Sequence, residues 1–246
     1  MKKHISFLLL FARATIFPMV ALLAAMAAVE LTIFHRSLDF HIRSADAVNE
    51  MDSLEKLLDY SNIGIIFGLA FLVLTVLLCL PGCRLGSRTD YTFSRLSLDE
   101  RTIFWWQTGY NAACYLMLWA AQLAVVLACC TLYCAHAPEH AYTAQSLYLA
   151  AYRSPLLHAL LPLDDLLLWL RNLGMLVGLA LSTARVPLCR RQGRAPVAVV
   201  IMALTMYLFP RALGSSELDA ITLWPIIGVI SGTLWAVLHK EDEDEA

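Results

Sequence analysis

Charge is scarce in this 246-residue sequence: Asp, Glu, Lys and Arg together make 15% of it, against about 25% in ordinary soluble domains. Apolar residues reach 59%, and the mean hydropathy of +0.65 leaves no large polar domain for soluble enzyme chemistry. The net charge of −2 excludes a nucleic-acid binder with a basic face, and the apolar content excludes a disordered chain. Also missing are an H-E-x-x-H metalloprotease motif, a G-x-S-x-G nucleophile elbow and a Walker G-x-x-x-x-G-K-[ST] loop. Asp164-Asp165 lacks the third acid at 168 that a diphosphate–metal motif needs, since 168 is Leu. No internal repeat is visible. The chain is therefore expected not to be an enzyme and to hold no cofactor or metal.

The seven cysteines do not form a polar, evenly spaced framework. Most sit in or beside apolar runs, so a disulfide scaffold is not expected. Cys130 and Cys134 are one helical turn apart with no His or acid at a matching spacing, and behave as small apolar residues. Histidines 35, 41, 136, 140 and 158 fall on one side in the topology below and read as scattered loop residues.

What the sequence does have is long apolar runs. A bilayer crossing takes about 20 such residues, and hydropathy places spans at 15–34, 62–80, 103–134, 163–183, 196–213 and 220–238. The expected fold is an all-α, polytopic membrane protein of about six transmembrane helices, forming a single domain over 1–246. Arg13 interrupts the first apolar stretch, which favours an uncleaved first span over a signal peptide. Ile5 to Ala12 before it read as a short amphipathic helix lying in the interface.

With the amino terminus inside, the inner segments carry eleven Lys and Arg and the outer segments five. That asymmetry places both termini in the cytoplasm. Pro81-Gly82 closes the second span, Pro187 and Pro196 bracket the loop after the fourth, and Gly214 lies in the last turn. The first outer loop alternates acids with leucines around Asp52–Asp59, predicting a short amphipathic helix. The second becomes apolar on both sides of Pro155, too briefly to span, predicting an interfacial or re-entrant hairpin.

Polar residues inside spans are costly and therefore candidates for function. They are Glu30, Gln122, Asp164, Asp165, Arg171 and Asn172, with Asn111, Tyr110 and Gln107 towards the inner end of the third span. Asp164 and Arg171, seven residues apart, are separated by about 10 Å along a helix, too far to pair. Arg171 is expected to face the bundle and meet another span, with Glu30 and Gln122 as candidate partners. Gly174 and Gly178 make a small-x-x-x-small face for close helix approach, within the bundle or across a dimer. Belt anchoring accounts for most of the six tryptophans, and the tail Glu241–Glu245 reads as a solvated acidic run.

The inner loop 84–101 is the most informative segment. Ser97 and Glu100 match a capping box that would start the third helix. Before it, Tyr91, Phe93 and Leu96 alternate with Arg88, Asp90 and Arg95. This run, Tyr91-Thr92-Phe93-Ser94-Arg95-Leu96-Ser97-Leu98-Asp99-Glu100-Arg101, leads into an aromatic-rich helix after the second of six spans. In that, and in its length and its amphipathic start, the chain resembles permease subunits of type-2 ATP-binding-cassette exporters. The resemblance implies a coupling helix here that docks on a separate cytosolic ABC ATPase, through Arg88, Tyr91, Phe93, Arg95, Leu96, Ser97, Asp99, Glu100 and Arg101. It also implies a homodimer or paired permease in a bacterial cell membrane, exporting an unspecified substrate. The alternative is a non-transporting membrane scaffold, immunity or regulatory protein.

Overall fold

The structure is a computed structural model and describes residues 2–48, 54–80, 100–136, 153–162, 165–191, 193–206 and 216–238. The described residues are almost all helical, as expected: α1 Lys2–Val48, α2 Leu54–Tyr60, α3 Ile63–Cys79, α4 Glu100–His136, α5 Pro155–Leu160, α6 Leu166–Arg191, α7 Val197–Thr205 and α8 Ser216–Leu238. Four of them are long and apolar enough to cross a membrane, over Phe11–Arg43, Arg101–His136, Leu166–Arg190 and Ala220–Leu238. A fifth crossing is available if α2 and α3, bent by 47° at their junction, count together. The six spans expected from hydropathy are thus matched in part. Residues 196–213 contribute the nine-residue α7, and 207–215 lie outside the described residues.

Two boundaries differ from expectation. Ile5–Ala12 do not form a separate interfacial helix: α1 runs unbroken for 47 residues, through Pro18, a length of about 70 Å against a hydrocarbon core of about 30 Å. Pro187 does not mark the end of the fourth span either. It lies inside α6, where it only removes the N–H that the Thr183 carbonyl would otherwise accept. The helix runs to Arg191, and Gly193 just beyond it takes a φ of +65°, which is open to glycine. Its N–H donates to Arg190 O and the next, of Arg194, to Cys189 O, the paired closure that satisfies terminal carbonyls.

The α2–α3 bend is made by Asn62 at φ 50°, the left-handed region that Asn tolerates best after Gly. The Ser61 hydroxyl donates to Leu57 O at 2.6 Å beside it. α2 forms as its leucine spacing predicts, with Leu54, Leu57 and Leu58 buried against the bundle.

Contacts between helices set their directions. Phe11 meets Tyr110 and His35 meets His136, so α1 and α4 run the same way. Asn111 pairs with Thr183 and Trp119 with Trp169, so α6 opposes α4. A Cβ on Gly174 would lie 3.1 Å from Ile226, and one on Gly178 3.4 Å from Ile230, so α8 is parallel to α6. Chain connecting two parallel helices must return along the bundle: α3 makes the first return, and α7 begins the second. Phe104, Leu181, Ala184 and Val237 pack together at one end, where Arg101 Nη2 also donates to Leu238 O at 2.9 Å. That end carries Arg101, Arg185, Arg190 and Arg194, and both the start of α1 and the close of α8 face it. The opposite end mixes signs, with His35, Arg36, Asp39, Arg43, Glu55 and Asp59.

Candidate functional site: a buried polar column along the fourth helix

α4 is apolar enough to span, yet beyond Arg101 at its start five more of its described side chains carry polar atoms to other helices. The Tyr110 hydroxyl shares a 2.6 Å hydrogen bond with Thr15 Oγ1 of α1. Asn111 Nδ2 donates to Thr183 Oγ1 of α6 at 2.9 Å, and the Tyr115 hydroxyl to Thr75 Oγ1 of α3 at 3.1 Å. Trp119 Nε1 donates to Leu160 O at the end of α5 at 3.0 Å, and Gln122 Nε2 to Glu30 Oε2 of α1 at 2.9 Å. Asn111, Tyr115, Trp119 and Gln122 follow one another at steps of four, four and three, which keeps them on one helical face. Asn111, Tyr115, Gln122 and Glu30 have no exposed surface. In this column Gln107 Nε2, Asn111 Oδ1, Gln122 Oε1 and Glu30 Oε1 have no hydrogen-bond partner among the described residues.

A second polar group lies where α5 abuts α6. A six-residue helix cannot satisfy its last carbonyls internally, and here side chains do so. Asn172 Nδ2 donates to Ala159 O at 2.7 Å, Trp119 to Leu160 O, and Trp169 Nε1 to Pro162 O at 2.5 Å. Arg171 is fully buried and directs Nε and Nη2 at Asn172 Oδ1, 3.4 and 3.3 Å away. Its positive charge therefore stands beside the electronegative carbonyl end of α5, where a cation is favoured.

The structure sorts the residues singled out from sequence. Glu30 and Gln122, expected as partners for Arg171, pair with each other, and Arg171 turns to Asn172 instead. Asp165 lies at the start of α6, its Oδ1 accepting from Leu167 N at 2.9 Å and Leu168 N at 3.2 Å as a helix cap. Gly174 and Gly178 serve contacts within the bundle, against α7 and α8. Asp164 and residues 81–99, with Arg88, Tyr91, Phe93, Arg95, Leu96, Ser97 and Asp99, lie outside the described residues, as does the expected Ser97 cap; α4 is described from Glu100. The acidic tail and His140 lie outside them too, and no cluster of three or more metal-ligating side chains occurs among the described residues.

Sequence reasoning missed Thr15, Thr75, Tyr115 and Thr183. A lone threonine in so apolar a run as Ile63–Cys79 was the available signal. Of the six tryptophans, most of which were expected to be belt anchors, Trp105, Trp106, Trp224 and Trp235 are exposed, and Trp119 and Trp169 donate to backbone carbonyls.

No protein family, no curated protein and no solved structure matches the chain.

Proposed function

We propose that this chain is the membrane-spanning subunit of an ATP-driven exporter in a cell membrane. A separate cytosolic ATPase docks on residues 84–101, and the subunit works as a dimer or beside a second permease. The observation that carries the proposal is the position of α4. The docking segment leads directly into this helix, which is hydrogen-bonded to α1, α3, α5 and α6. A displacement of the segment by nucleotide binding on the ATPase would reach the whole bundle through α4, shifting it between inward- and outward-facing states. The arginine-rich end supports a cytoplasmic assignment for that face and for both termini. Hydrolysis itself belongs to the partner.

A second reading follows from the same column. Most of its donors bond other helices, as they would in a scaffold that fixes packing and transports nothing. Purification of the tagged chain from its native membrane separates the two. Copurification of an ATPase that cross-links to a cysteine at Ser97, with ATPase stimulation lost in Arg95→Glu, is the expected result. Recovery of the chain alone overturns the exporter reading. Arg95 is the better probe, because Arg101 also holds the Leu238 carbonyl and its reversal would loosen α8.

A further inference from the structure

Among the described residues Glu30 and Gln122 leave one oxygen each without a donor, Glu30 Oε1 and Gln122 Oε1, while their other polar atoms meet across 2.9 Å. Both side chains have no exposed surface. A carboxylate and an amide oxygen are both acceptors, so as an ion pair-free carboxylate the two cannot satisfy each other. From this geometry we infer that Glu30 and Gln122 form a proton-binding site between α1 and α4, holding one proton on Glu30 in the closed bundle. The proton converts Oε1 from acceptor to donor and supplies the partner that Gln122 Oε1 lacks. Gln122 Nε2 continues to donate to Oε2, which becomes the acid carbonyl. An acid and an amide then complete a two-bond ring, and the pair carries no net charge into the apolar interior, where an isolated carboxylate is costly.

The surroundings are consistent with a neutral acid. α1 packs on α4, α3 and α2. α3 carries no charged residue, and α4 carries none between Arg101 and His136. The ionisable neighbour on α4 is the Cys129 thiol, close enough to interact electrostatically with the carboxyl and no source of positive charge. α2 brings Glu55, Lys56 and Asp59 to the far end of α1, where Tyr60 meets His41. Arg171, on α6, addresses Asn172. The site is independent of the exporter reading, since it needs neither an ATPase nor a cargo.

The test is infrared spectroscopy of the purified full chain in lipid nanodiscs at neutral pH, reading the carbonyl stretch of a protonated carboxylic acid, which lies clear of the carboxylate and amide bands. The expected result is one such band, shifted by deuterium exchange and lost in Glu30→Gln. Gln122→Leu should keep the band and move it to the position of an acid without an amide partner. Glu30→Gln should fold as the native chain does, being a neutral isostere. Should it fail to fold, the native protein can be treated with a hydrophobic carbodiimide, which adds to protonated carboxyls; modification of the peptide containing Glu30 at neutral pH supports the site. An ionised Glu30, seen as no Glu30-dependent acid band and no adduct, overturns the inference. So does a band that appears only when sodium and potassium are withdrawn, because the site would then belong to a metal cation.

Discussion

Asn172 serves two groups at once, its Nδ2 on the Ala159 carbonyl and its Oδ1 before the Arg171 guanidinium. Removing the amide leaves a buried carbonyl without its donor and a buried cation with one acceptor fewer. Asn172→Ala should therefore cost about 1–3 kcal/mol, read as a lower unfolding midpoint in detergent, whereas Asn172→Asp should keep the Arg171 contact and lose the one to Ala159. Equal stability of native and Asn172→Ala protein would show that neither contact matters. That Arg171 and Asn172 would be buried was legible in the sequence, because polar residues in a spanning helix have few other places to go. Their partners were not. Arg171 was expected to reach Glu30 or Gln122, and which polar groups meet depends on how far α6 is rotated and shifted against α4, a matter set by packing along the whole helix.

Helix α6 is pinned by its glycines. A Cβ at Gly178 would fall 2.7 Å from the end of Met202 and 3.1 Å from its sulfur, while one at Gly68 on α3 would meet nothing within 4 Å. Met202 is flexible enough to yield to a methyl group. A leucine is another matter: Gly178→Leu should force α6 from α7 and α8 and cost about 1–3 kcal/mol, whereas Gly68→Leu should change stability by no more than about 0.5 kcal/mol. Thermal unfolding of the pair in one detergent decides it, and equal losses would refute the close approach. The existence of the helices was readable from apolar run length, and that of α2 from leucine spacing. Their ends were less so. Proline suggested a boundary at 187, yet a helix tolerates the lost hydrogen bond when its neighbours hold it, and the break came at Gly193. Ile5–Ala12 suggested a separate interfacial helix, but α1 runs through them and past Arg13 without interruption.

At the scale of the molecule, the pairs of parallel helices put the start of α1 and the close of α8 at the same end, the one with Arg101, Arg185, Arg190 and Arg194. In a variant with its seven cysteines replaced, new cysteines at Arg194 and Arg36 should react with a membrane-impermeant maleimide from opposite sides and, in the proposed orientation, Arg194 only after the cytoplasmic face is opened. Labelling of both from one side would overturn the arrangement. Charge counts, which need no knowledge of packing, assign the arginine-rich end to the cytoplasm, and the labelling tests that assignment. The parallel pairing of α1 with α4 has a consequence in time. Glu30 and Gln122 stand 92 residues apart in the chain, and at about 5–20 residues per second a ribosome takes roughly 5–20 s to make that interval. Through that delay α1 is already available to the bilayer while its amide partner has yet to be synthesised, so Glu30 must be tolerated there by lipid or by the insertion machinery before the bundle exists to receive it.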